Sequence, residues 1–115
     1  MLMKLFEKQE VFLLDLSGDL DLYGSIQLKE IVMKLIENKV EHLIISLRDV
    51  KVINSSGIGA LLYIYSTFMK MNLDLAITDV TDNVYEQIDI TKTSKYLPIT
   101  DSVKEACMAV GHGEA

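Results

Sequence analysis

The stretch Asn54-Ser55-Ser56-Gly57-Ile58-Gly59 places two adjacent hydroxyl groups between a strand-like segment and an apolar helical pattern. Backbone N–H groups are free at the start of a helix, and the helix dipole favours negative charge there. One interpretation is structural, because serine is a common N-cap and glycine allows a tight entry turn. The other is chemical, because a serine displayed at a helix start can carry a phosphate whose charge is stabilised there. These six residues alone leave both interpretations open.

Other catalytic chemistries lack their residues in this sequence. A nucleophile elbow needs glycine two residues before and two residues after its serine, which Ser56 does not have. A phosphate-binding loop would need a lysine after Gly59. Gly18, Asp19 and Asp21 are predicted to form a solvated turn rather than a pair of catalytic acids. The sequence therefore predicts a protein that is not an enzyme and that uses no cofactor.

Length and composition predict a single domain spanning residues 1–115, since half of the 115 residues are hydrophobic and can close one core. The net charge is −6 and the eleven basic residues are scattered, which argues against nucleic acid as a partner. Cys107 lies in an apolar helical pattern and is predicted to be a small buried side chain. A monomer is the expected state.

The sequence shows no signal for a metal site, for a membrane span or for secretion. His42 and His112 have no cysteine or carboxylate neighbours at zinc-ligand spacing, which predicts no metal site. No apolar run reaches the roughly 20 residues of a membrane span, and the N-terminus lacks a signal-peptide core. These observations predict no membrane insertion and a cytoplasmic location.

Short apolar strands alternate with amphipathic helices along the chain. This pattern predicts an α/β fold in which a four- to five-stranded mixed sheet is flanked by about four helices. Strands are predicted at residues 3–7, 11–16, 42–47 and 73–77 with an edge piece at 96–99, and helices at 24–38, at 56–72, after Thr81 and after a capping box at Ser102, with residues 111–115 as a frayed tail.

The predicted core joins the central strands to the second helix. The expected members are Leu43, Ile45, Leu47, Leu75 and Ile77 on the sheet, with Leu61, Leu62 and Phe68 packed against them. The loop at residues 49–56 follows a central strand. It is therefore predicted to lie beyond the strand carboxyl ends, where functional residues of open α/β sheets gather.

Four segments in this order resemble the STAS family, the domain shared by sulfate transporters and anti-sigma factor antagonists. They are Gly18-Asp19-Leu20-Asp21, residues 43–47, residues 50–61 and residues 97–103. The match extends from about Val11 to Val110, and the chain looks like a stand-alone bacterial anti-sigma factor antagonist.

The resemblance implies a role for Ser56, because the second serine of the family's Asp-Ser-Ser-Gly-Leu-Gly loop is phosphorylated by a partner kinase. In the implied scheme, the unphosphorylated protein binds an anti-sigma factor with a histidine-kinase-like ATPase fold and thereby frees a sigma factor. The same anti-sigma factor phosphorylates the antagonist, which breaks the complex, and a metal-dependent serine phosphatase restores it. Capping and phosphorylation can coexist at this serine.

The resemblance also implies a partner surface and two alternatives. Asn54 stands where many members carry Asp, which removes a charge two residues before the acceptor and bears on kinase recognition. Ser55 is assigned to turn formation, and Gly57 to close backbone approach. Some members act without phosphorylation, as scaffolds in stress complexes or as subunits of lipid transport systems. The predicted partner-binding residues are Gly18, Asp19, Asp21, Asn54, Ser55, Ser56, Gly57 and Ile58.

Overall fold

A computed structural model of the protein describes residues 1–111. Four strands form one mixed sheet in the order β1-β2-β3-β4, in which β1 is antiparallel to β2 and the other neighbours are parallel. The predicted α/β fold is therefore confirmed. The strands are β1 (Leu2–Lys8), β2 (Val11–Leu20), β3 (His42–Ile53) and β4 (Asp74–Thr78), and the helices are α1 (Leu22–Glu37), α2 (Ser55–Lys70), α3 (Asp82–Ile90) and α4 (Val103–Gly111).

Both faces of the sheet are covered, because alternate residues of β3 point to opposite sides. Leu43, Ile45 and Leu47 join the main core with α1, α2 and α3. Ile44 packs on the other face with Ala106 and other side chains of α4. This burial on both sides explains the continuous apolar run that predicted a central parallel strand.

β2 and β3 extend well beyond their predicted carboxyl ends. β2 continues to Leu20 and β3 to Ile53, and these two end residues pair with each other. Gly18 and Asp19, which were predicted to lie in a turn, fall at a register shift between the two strands, and Gly18 has a φ of 118°. Asp21 caps α1 instead. A glycine at positive φ is typical of a β-bulge. Gly18 therefore bends a strand rather than forming the predicted turn.

The predictions for the C-terminal part of the chain are confirmed only in part. Half of the predicted capping box is formed, since the Glu105 N–H donates to Ser102 Oγ at 3.1 Å. Glu105 Oε1 accepts from the Asp101 N–H at 3.2 Å, one residue before the Ser102 N–H that a capping box uses. Ile99 makes a single parallel bridge with Ile77, and part of the predicted edge piece is a 3₁₀ turn instead. Gly111 ends α4, while residues 112–115 of the predicted tail lie outside the described part.

Cys107 is exposed, so the prediction that it is buried is wrong. Ala106 and Val110 are four residues apart and face the sheet, with exposures of 0% and 2%. Cys107 lies one position further around α4, beside an open groove that it lines with Leu13 and Ile44, so no neighbouring side chain covers it.

Leu61 and Leu62 provide a test of which side of α2 faces the core. Leu61 is fully buried, whereas Leu62 packs against the core but is only half-buried. We expect Leu61→Ala to lower the free energy of unfolding by about 2–5 kcal/mol through cavity formation. Leu62→Ala should cost roughly 1 kcal/mol, nearer to a surface change. Urea denaturation of both variants checks this, and equal losses would show that the helix face is misassigned.

Candidate functional site

The carboxyl ends of β2 and β3 lie side by side and start α1 and α2 at the same edge of the sheet. The Asn54 N–H donates to the Leu20 carbonyl oxygen at 3.3 Å, which ties the start of α2 to the end of β2. The segments at 18–21 and 54–58, which are distant in sequence, therefore meet at one edge. This is the edge at which open α/β sheets hold their functional residues.

Both helices begin with the same cap. Asp21 Oδ1 accepts a hydrogen bond from the Gly24 N–H at 2.9 Å, and Asn54 Oδ1 accepts one from the Gly57 N–H at 3.1 Å. Neither cap was predicted from the sequence, and α1 was predicted to begin at Gly24. The signal was present as an Asp or Asn followed three residues later by Gly, at two places in the chain.

Because Asn54 caps α2, the serines are its first two residues. The interpretation of Ser56 as the cap, and that of Ser55 as a turn residue, are therefore wrong. Ser55 is exposed and Ser56 is half-buried. Within residues 1–111, no hydrogen bond engages the Ser56 hydroxyl. This hydroxyl lies in the first turn of a 16-residue helix, and the described part of the chain uses it neither as a hydrogen-bond donor nor as an acceptor.

Gly57 presses the start of α2 onto the strand ends. A Cβ at this position would overlap the Leu20 carbonyl oxygen and would lie 2.8 Å from Ile53 Cγ1. The predicted close backbone approach is confirmed. Ile58 is 6% exposed and belongs to the core. Gly57 and Ile58 are therefore suited to positioning Ser56, and their predicted contact with a partner stays a prediction.

The charges at this edge differ between the two helices. Asp19 is exposed, and Asp21 is half-buried as the cap of α1. The first turn of α2 contains no acidic residue, and its cap, Asn54, is neutral. Helix α2 thus carries no carboxylate of its own at its positive end, which makes this helix start a better place for an added anion than that of α1.

Metal ligands and membrane-spanning helices are two further features that bear on what this site could bind. Among residues 1–111, no three His, Cys, Asp or Glu side chains are grouped so that they could hold a metal ion. In the same part of the chain, no helix is both long enough and apolar enough to cross a membrane.

Comparison with known proteins agrees with this fold. The STAS domain model matches residues 3–106, and the chain belongs to the STAS domain family. The anti-sigma F factor antagonist of Paenibacillus polymyxa is 29% identical over 93 residues, which is 80% of each chain.

Two solved structures share the fold at low identity. The crystal structure of an anti-sigma factor antagonist from Mycobacterium paratuberculosis has a TM-score of 0.83 at 19% identity, covering 95% of this chain and 92% of that one. The Bacillus cell fate determinant SpoIIAA in its phosphorylated form has a TM-score of 0.70 at 15% identity, covering 93% and 96%.

Proposed function

We propose that this protein is an anti-sigma factor antagonist that is switched by phosphorylation of Ser56. The observation that carries the proposal is Ser56 itself, a half-buried residue in the first turn of α2 whose hydroxyl makes no hydrogen bond within residues 1–111. The similarity to the antagonist from Paenibacillus polymyxa supports the general role. Unphosphorylated, the protein binds an anti-sigma factor of the histidine-kinase-like ATPase fold in the cytoplasm, as a monomer, and frees a sigma factor.

The proposed reaction is phosphoryl transfer from ATP, carried out by the anti-sigma factor. The Ser56 hydroxyl gives its proton to a base of the anti-sigma factor and its oxygen attacks the γ-phosphorus in line, so that a new O–P bond forms while the bond to ADP breaks and ADP leaves with its electrons. The product carries a charge of about −1.5 to −2 at pH 7. Free N–H groups in the first turn of α2 stabilise that charge, so the fold persists.

The same geometry explains why the complex would come apart. A kinase must hold the serine oxygen close to the γ-phosphate, so the phosphoserine product forms beside the phosphates of ADP. Like charges at that distance repel strongly in a site that excludes water. A metal-dependent serine phosphatase would remove the phosphate by hydrolysis and return the protein to its binding form.

Locating the phosphate is the direct test. The purified protein is incubated with ATP and, one at a time, with anti-sigma factors of the same organism, and the peptide containing Ser55 and Ser56 is analysed by mass spectrometry. We expect one phosphate, on Ser56, and none in Ser56→Ala. Phosphate on Ser55 would move the site by one residue. Phosphate on neither would reject the switch and favour a constitutive scaffold.

Asn54 offers a variant in which the cap is kept and only a charge is added. Aspartate caps helices as well as asparagine does, so Asn54→Asp should leave the melting temperature unchanged. We expect it to be phosphorylated faster than wild type, because it restores the carboxylate that many STAS proteins carry in this loop. Timed incorporation of phosphate measures the rate. Equal rates would mean that residue 54 acts only as the cap.

A further inference from the structure

Gly59 is a glycine that the fold does not require. It is exposed in the second turn of α2, and a Cβ built on it meets no atom within 4 Å. Glycine inside a helix is less stable than alanine because it loses more backbone freedom on folding. Gly57, two residues earlier, has a steric reason in the Leu20 carbonyl. No such reason exists for Gly59 within residues 1–111, which points to a contact made outside the chain.

Several exposed apolar side chains lie on α1 and α2, the two helices that begin at this edge of the sheet. Leu22, Tyr23 and Ile26 of α1 are 54%, 77% and 47% exposed, and Tyr63 of α2 is 55% exposed. Helices α1 and α2 pack together, and Lys29 Nζ of α1 lies 5.6 Å from the centre of the Tyr63 ring. We call the surface formed by Leu22, Tyr23, Ile26, Gly59 and Tyr63 the α1–α2 face. Grouped exposed apolar side chains of this kind mark protein interaction sites.

The α1–α2 face adjoins the proposed phosphoacceptor. Gly59 lies three residues beyond Ser56, so the two positions are neighbours on the surface of α2. Tyr23 is the second residue of α1, as Ser56 is of α2. Any kinase that holds the Ser56 oxygen at its ATP must cover the surface around this helix start. Asp19 is exposed and lies three residues before Leu22, so a complementary partner carries a basic side chain there.

We propose that the anti-sigma factor kinase docks on the α1–α2 face with a backbone segment lying against Gly59. This inference rests on the proposed function and adds to it the surface that the kinase recognises. A main-chain segment can reach the α2 backbone only where no side chain stands between them. Tyr63 and the apolar side chains of α1 flank that contact, and aromatic side chains are common at the centres of such interfaces.

The test is to enlarge Gly59 and follow stability and binding separately. Gly59→Ala should raise the melting temperature by about 3 °C, because alanine is the better helix former and the space is open. It should weaken binding of the purified anti-sigma factor with ADP by about 10-fold, and Gly59→Leu by about 100-fold or more, as overfilled contacts do. Thermal unfolding measures the melting temperature, and calorimetric titration measures the affinities of the two variants. Ala109→Leu enlarges an exposed residue of α4, on the opposite side of the sheet, and should bind as wild type does.

The outcomes separate this inference from the proposed function. Wild-type affinity in Gly59→Leu would reject the backbone contact while leaving the phosphorylation switch intact. A lower melting temperature in Gly59→Ala would show that the fold itself needs the glycine, and would also reject the contact. If no anti-sigma factor binds the wild-type protein, the proposed function fails and this inference fails with it.

Discussion

Replacing Ser56 by aspartate is expected to weaken binding of the anti-sigma factor by about 100-fold or more, because an unpaired charge in a dry interface costs several kcal/mol. The melting temperature should stay nearly constant, since the first turn of α2 contains no acidic residue and a carboxylate there interacts favourably with the helix dipole. Isothermal titration and thermal unfolding of the same preparation measure the two effects.

A neutral variant of the same shape is the control for this charge effect. The asparagine side chain has nearly the size of the aspartate side chain but no charge, so Ser56→Asn is the control for Ser56→Asp. Ser56→Ala removes the hydroxyl altogether. We expect both to bind within about 10-fold of wild type, because neither brings a charge into the interface. Ser56→Ala should also resist phosphorylation. If the asparagine variant binds as poorly as the aspartate variant, the effect is steric and the electrostatic switch is rejected.

Replacing Gly57 by alanine is expected to be the most destabilising single-methyl change at this edge of the sheet. The added Cβ would overlap the Leu20 carbonyl oxygen and come within 2.9 Å of Leu20 Cγ. A backbone oxygen cannot move aside as a flexible side chain can, so the loss should reach the upper part of the range for overpacking, about 3 kcal/mol. The start of α2, and with it Ser56, would be pushed away from the strand ends.

Gly59→Ala is the matched control, because it adds the same methyl group two residues further along the same helix, where nothing lies within 4 Å. The two variants should change the free energy of unfolding in opposite directions. Urea denaturation measures both. A loss below about 0.5 kcal/mol for Gly57→Ala, the level of an ordinary surface change, would contradict the close approach seen here.

Local patterns determined much of this fold. The apolar run of β3, the helical repeats of α1 and α2, and the capping box at Ser102 each depend on neighbours a few residues away. The loop at 54–59 carried the family resemblance, and its position between a strand and a helix followed from the same patterns. These features could be predicted because the residues that determine them are close together in the sequence.

The tertiary structure decided what depends on pairing between distant segments. β2 and β3 continue through polar residues to Leu20 and Ile53 because each strand completes the backbone hydrogen bonds of the other. Asn54, rather than a serine, caps α2, and the strand ends also determine how close that helix comes. The two glycines show the difference most clearly. The close approach expected at Gly57 is made to Leu20 at the end of β2, in a segment more than thirty residues away, whereas Gly59 makes no such contact.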